Sequence, residues 1–292
     1  VTVVPGDPAP AAPYAHVAAC LDRSAEAVRG LDLARRLRAL GPGRLSIVHV
    51  ATAPALVGYS RWGVERQVFY RTAQSWLARV GDGVPEAETV LLWGPPADRI
   101  IEWARETAPD LLVAASHAGR ATRILGSVVK RLATSAPCPA LLMPPAVTLP
   151  DGAAAGTPFA HIACCVDDSD ASRRALAEAS RLRALAPGRL SLVHAAPNPL
   201  LEVAVPGGFA PSPRDLAVVE ETWLRHLAAH TPGAEAVALS GAAEEAVLEW
   251  ADGAAPDLIV AAAHRGPLER AVVGSFAARM ALDAPCPVLL TR

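Results

Sequence analysis

Lysine is nearly missing from this chain. Lys130 is the only one among 27 basic residues, and with it goes the Gly-Lys-Ser/Thr ending of the common phosphate-binding loop. No apolar run approaches the ~20 residues that a membrane-spanning helix needs. The net charge is −2 and neither half carries a long basic tract, so no nucleic-acid or membrane partner is expected. H-E-x-x-H, a nucleophile elbow and paired carboxylates are all missing, and no catalytic residue is assigned. The five cysteines include no C-x-x-C and no Cys/His ligand spacing. They read as reduced, buried thiols of a cytoplasmic protein, without a metal site. The opening VTVVPGDPAPAAPYA lacks the basic flank and apolar core of a signal peptide and reads as a disordered, Pro-rich lead-in. Aromatic residues make up only 4%, so Ala, Val and Leu supply most of a hydrophobic content of 52%. That composition suits helices packed closely on a buried sheet.

What is present is a passage written twice. HVAACLDRSAEAVRGLDLARRLRALGPGRLSIVHV (16–50) lies over HIACCVDDSDASRRALAEASRLRALAPGRLSLVHA (161–195) without a gap, with about 20 of 35 positions identical. The match resumes at IIEWA over VLEWA and at APDLLVAASH over APDLIVAAAH. It closes with LGSVVKRLATSAPCPALL over VGSFAARMALDAPCPVLL. A chain of 292 residues accommodates two domains of roughly 150 each, set here at 14–145 and 160–292.

Each copy alternates apolar runs with helical periods. HVAACL, RLSIVHV, ETVLLW, PDLLVAA and PALLM read as strands. From an N-cap at Ser24, Val28, Leu31, Ala34, Leu37 and Leu40 fall at helical spacing, and further helices follow over 60–80, in ADRIIEWARET and in SVVKRLAT. The expected fold is α/β: two tandem doubly wound domains, each a parallel sheet with helices on both faces. Cys164 and Cys165, adjacent in one strand, should point to opposite faces. Segments 51–62 and 196–213 vary between the copies and are left without an assignment. Such sheets bind ligands beyond the carboxyl ends of the strands, at the point where strand order reverses. The residues there follow the first strand (LDRS, VDDS) and the fourth (SHAGRATRILGS, AHRGPLERAVVGS).

In these features the chain resembles the universal stress protein family in its tandem two-domain form, from Tyr14 to Arg292. The resemblance rests on Asp22/Ser24 and Asp167/Ser169, on His49 and His194, on Pro-Asp-Leu-Leu/Ile-Val, on the Gly-Ser helix starts and on Ala-Pro-Cys-Pro before the last strand. It implies five parallel strands per domain in the order 3-2-1-4-5. It also implies pairing through the last strands, here between the two halves, with a further homodimer and an unidentified protein partner as additional options. The function implied is a cytoplasmic stress-response sensor or binding module holding ATP or another adenine nucleotide in the first domain, with magnesium only as the nucleotide's companion. Hydrolysis would be slow and incidental. The alternative is an interaction scaffold whose sites bind no nucleotide.

By the same resemblance the nucleotide-binding candidates are Asp22, Arg23, Ser24, Val48, Ser116, His117, Gly119, Arg123, Gly126 and Ser127 in the first copy. In the second they are Asp167, Val193, His264, Gly266, Gly274 and Ser275. The chain departs from the family's Gly-x-x-Gly, nine residues, Gly-Ser/Thr. Ala115 and Ala118 stand at the first two glycine positions, with seven residues before Gly126. Ala262 and Arg265 stand there in the second copy, with eight before Gly274. Gly126-Ser127 and Gly274-Ser275 therefore carry two readings, helix start and phosphate clamp. Asp22 and Asp167 likewise lie beside an adenosine or organise the turn. Arg23, Arg120 and Arg123 favour an anion in the first copy, whereas Asp167, Asp168 and Asp170 crowd the second. His49 and His194 read as structural, His16 and His161 as turn residues. Trp103 and Trp250 read as helix-to-sheet packing, and RRLRAL and SRLRAL as solvated arginine faces.

Overall fold

The computed structural model describes residues 14–52, 62–116, 126–147, 159–185, 188–196, 213–263 and 275–292. In the first half, β1 (His16–Leu21), α1 (Ala25–Arg38), β2 (Arg44–Ala51), α2 (Trp62–Asp82) and β3 (Ala87–Trp93) come first. Then follow α3 (Pro96–Thr107), β4 (Leu111–Ala115), α4 (Ser127–Ser135) and β5 (Ala140–Met143). The second half repeats them as β6 (His161–Cys165), α5 (Asp170–Leu185), β7 (Arg189–Ala196), α6 (Pro213–Ala229) and β8 (Ala234–Ser240). It ends with α7 (Ala243–Ala254), β9 (Leu258–Ala262), α8 (Ser275–Asp283) and β10 (Val288–Thr291). No helix among the described residues is long and apolar enough to cross a membrane.

All ten strands form one sheet, ordered β3-β2-β1-β4-β5-β10-β9-β6-β7-β8. Each half has the expected order 3-2-1-4-5 with parallel neighbours. The halves join where β5 and β10 pair antiparallel, Leu141 facing Leu289. Strands buried on both faces explain the near-continuous apolar runs in the sequence. The pleat sends alternate residues into two cores. Val17, Ala19 and Leu21 join Leu31, Leu33, Leu37 and Leu77 on one side. Ala18 and Cys20 join Ile100, Trp103, Leu132 and Met280 on the other. Both cores run through both halves. Cys164 and Cys165 fall on opposite sides, as their adjacency in a strand requires.

Ser24 caps α1 as expected, its Oγ accepting from the amide of Ala27 at 3.2 Å. The buried stripe of α1, however, is Ala27, Gly30, Leu31, Leu33, Ala34 and Leu37. Val28, placed on the inner face by leucine spacing, is 66% exposed. Gly30, in the buried stripe, faces the end of β4, where a Cβ would make ordinary contact with Ala115 at 3.7 Å.

His16 and His161 are not turn residues. Each opens a strand, is buried, and shares a hydrogen bond between Nε2 and a buried serine hydroxyl, 2.8 Å to Ser46 and 2.7 Å to Ser191. Burial lowers the pKa of both, and the neighbouring Arg44 and Arg189 add to it. Trp103 and Trp250 close over them edge-on, at centroid distances of 5.9 and 6.0 Å, as helix-to-sheet packing requires.

Tyr14 is not part of a loose lead-in. It is 2% exposed and donates its hydroxyl to Glu178 in the other half. Burial and that carboxylate hold its phenol well above the usual range. The arginines of α1 and α5 keep a solvated face, Arg35 and Arg181 being exposed, while also making polar contacts. Arg35 binds Glu86 at 3.1 Å, Arg183 donates to Gly188 O at 3.0 Å, and Arg181 holds Glu178.

Candidate functional site

β1 pairs with β2 on one side and β4 on the other, with Leu21 beside His49 and Cys20 beside Ala114. Strand order reverses here, so the two crossovers leave in opposite directions and a crevice opens between the strand tips. In the first half it holds about 300 Å³. Cys20, Leu21 and Ala114 make its floor, and Asp22 stands at the lip. Ile100 of α3 and the opening turn of α4, Gly126 to Val129, make its walls.

A histidine fixes the floor. His49 Nδ1 is 2.9 Å from Leu21 O, donating to the last carbonyl of β1, and its ring packs on Trp76 at 4.7 Å. Burial lowers its pKa, opposed by that same bond. His194 repeats the clamp on Val166 O at 2.8 Å. These are scaffold histidines.

Asp22 turns the chain beyond the clamp. Its Oδ1 accepts from the amide of Ser24 at 2.8 Å, which sets Ser24 at the start of α1. One carboxylate thus both organises the turn and faces the crevice. Cys20 beneath it has its thiol pushed up to about 12 by burial, which leaves it protonated and unreactive.

The start of α4 supplies the polar wall. Gly126 is its N-cap, and the first bond within the helix runs from Lys130 N to Gly126 O at 3.0 Å. Helical geometry gives the amides of Ser127, Val128 and Val129 no carbonyl within the helix, and the dipole adds positive potential there. Gly126 has φ −55° and ψ 141°, which any residue adopts, and a Cβ added to it would meet nothing within 4 Å. Neither backbone conformation nor packing among the described residues requires glycine at this position.

The second crevice holds about 240 Å³ between Cys165, Val166, Asp167, Ala261 and the start of α8. Asp167 accepts from both the amide and the hydroxyl of Ser169, at 3.0 and 2.6 Å. Ser172 replaces Ala27 in its wall, and its hydroxyl accepts from the Asp167 amide at 2.9 Å; Phe276 replaces Val128. The acidic crowding expected here is largely answered by Arg173, which pairs with Asp168 at 3.5 Å and also with Asp170.

Of the sequence candidates, the structure brings Asp22, Gly126 and Ser127 to one crevice, and Asp167 and Val193 to the other. Ser275 opens α8. Four candidates do not line a wall. Arg23 is exposed, Ser24 is spent on the cap, and Val48 and Ser116 are wholly buried. Ser116 donates its amide to Met143 O at 2.8 Å, while its hydroxyl has no partner among the described residues. His117, Gly119, Arg123, His264, Gly266 and Gly274 lie outside the described residues, as do Arg120 and most of 51–62 and 196–213. Val50, Pro96 and Ile100 line the first crevice without having been singled out. The signal available for two of them was the start of a helix directly after the third strand.

The sequence profile of the Universal stress protein family matches residues 13–144 and again 158–292. Among solved structures, a universal stress protein from Archaeoglobus fulgidus superposes with a TM-score of 0.70 at 16% identity, over 95% of this chain and 98% of that one. A putative universal stress protein from Pseudomonas aeruginosa gives 0.68 at 16% identity, over 95% and 93%. No curated protein sequence matches the chain.

Proposed function

The chain belongs to the universal stress protein family, and on that footing we propose that it is a stress-response binding module whose first crevice holds an adenine nucleotide such as ATP. The observation that carries this is Gly126. A glycine that neither its backbone conformation nor the packing of the described residues requires, at a helix start that lines the crevice, suits the close approach of phosphate oxygens to backbone. The apolar lining of Val50, Pro96, Ile100 and Val129 suits a purine, and Asp22 at the lip suits ribose hydroxyls. Magnesium enters only on the phosphates. The reading assigns sensing and release, not turnover, and gives no residue a catalytic role. Five free thiols suit a cytoplasmic protein.

A scaffold role without nucleotide is favoured for the second crevice. There Asp167 is doubly occupied by Ser169, and Phe276 takes space that Val128 leaves in the first. Nucleotide released from freshly purified protein by denaturation, and the heat of ATP titration, test both. Gly126→Val should weaken ATP binding at least tenfold, and Gly274→Val should leave it unchanged. No bound nucleotide and no heat at millimolar ATP would overturn the nucleotide reading and leave the scaffold.

A further inference from the structure

The halves meet about a pseudo-twofold axis through the facing pair Leu141 and Leu289, with Ala140 against Leu290 and Leu142 against Val288. About such an axis, a contact from first half to second should recur with the partners exchanged. Two sets of contacts do not. Arg292 donates to Leu132 O and Thr134 O on α4, both at 2.9 Å, whereas its duplicate, Pro144, has no donor. The other set centres on Tyr14. Tyr14 donates its hydroxyl to Glu178 on α5. Arg181, three residues further on, holds the same carboxylate with two bonds of 2.8 Å and lies over the Tyr14 ring, 5.0 Å from its centroid. The duplicate positions are Phe159, Leu33 and Arg36. Phe159 and Leu33 are 4% and 1% exposed within the same core, and Arg36 turns to Asp32 at 2.8 Å. One side of the axis has a polar lock, a buried Tyr14 hydroxyl on a part-buried carboxylate; the other has plain apolar packing.

We propose that this one-sided lock decides which surfaces pair: the first half is fitted to the second half and set against a second copy of itself. Pairing first with first would place each Tyr14 hydroxyl against a Leu33. Pairing second with second would place each Glu178 carboxylate against a Phe159. The first arrangement strands the buried Tyr14 hydroxyl twice; the second packs the Glu178–Arg181 ion pair against an aromatic ring twice, with the Tyr14 hydroxyl gone, and a polar group that loses a buried partner is penalised. Only first-with-second satisfies all four positions, so the discrimination comes from what the wrong pairings leave unmet.

The test uses the full chain. Leu33→Glu with Glu178→Leu moves the carboxylate to the other half, so that first-with-first and second-with-second become the satisfied pairings. At one concentration this double variant should show at least a twofold rise in mass by light scattering, with a lowered melting temperature. Adding Tyr14→Phe and Phe159→Tyr rebuilds the lock in mirror image, Arg36 standing where Arg181 stood. This fourfold variant should return to the mass and melting temperature of the wild type. A double variant indistinguishable from wild type overturns the proposal, and so does a fourfold variant no better than the double. If the double variant does not fold, the fourfold one decides alone: its recovery supports the lock and its failure refutes it.

Discussion

Two glycines in the first half should respond unequally to the same substitution. A Cβ at Gly43 would sit 2.9 Å from both Tyr14 O and Ala15 O, inside any tolerated carbon–oxygen contact. The oxygens belong to the chain entering β1, where Arg44 N donates to Ala15 O at 2.9 Å. Gly43→Ala must push these backbones apart. Overpacking costs about 1–3 kcal/mol and the weakened hydrogen bond about 1 more. The lower entropy of the unfolded alanine chain returns about 0.4–1 kcal/mol. The net loss should be about 2 kcal/mol. At Gly126 a Cβ meets nothing, so Gly126→Ala keeps the entropy gain and loses about as much through alanine's weakness as an N-cap. Its net effect should lie within about 0.5 kcal/mol of zero. Denaturant unfolding at pH 7.5 measures both through the midpoint at constant slope. Equal effects of the two, or a larger loss at Gly126, would refute the claim that the fold demands one glycine and leaves the other to a ligand.

Burial lowers His16, His49 and His161, so the unfolded chain takes up protons first as the pH falls. Their contribution is fully present above about pH 6.5 and is lost below it; melting should therefore be lower at pH 5.5 than at 7.5, and equal values would contradict the assignment. The thiols of Cys20 and Cys165 are pushed up to about 12 and that of Cys138 to about 11, all chiefly by burial. A thiol reagent at pH 8 should react slowly with the native protein and with all five thiols after unfolding; rapid labelling of several thiols in the native state would count against the buried cores. Ala108 and Ala255 end α3 and α7 at φ 46°, where a Cβ is strained. Ala108→Gly should raise stability by about 1 kcal/mol in the same unfolding assay, and a loss would argue against that backbone.

The duplication made most of the fold legible, because any element read in one copy was checked by the other. Histidine at 49 and 194 was read as structural, and the bonds of both rings to strand-end carbonyls agree with that. Depth was harder to read than face. Val48 and Val50 point the same way from β2, yet only Val50 reaches the crevice, because two residues along a strand decide between floor and core. Val28 misled because its spacing to Leu31 fits a helix face, whereas the buried stripe also runs through Ala27, Gly30 and Leu33, which the apolar count passed over. Tyr14 was hidden by its Pro-rich neighbours, and its partner lies 164 residues away. No local pattern reports such a contact. The bond of His16 to Ser46 did leave a trace, since histidine and serine recur at the same spacing in both copies.

Joining β5 to β10 within one polypeptide has a consequence for how the two crevices evolve. Association that would dissolve on dilution between separate molecules here persists at any concentration, since each half meets its neighbour intramolecularly. The ratio of the two is fixed at one to one, and every descendant inherits both together. Either crevice is then at liberty to change while the other is kept, with no risk of a mismatched pair.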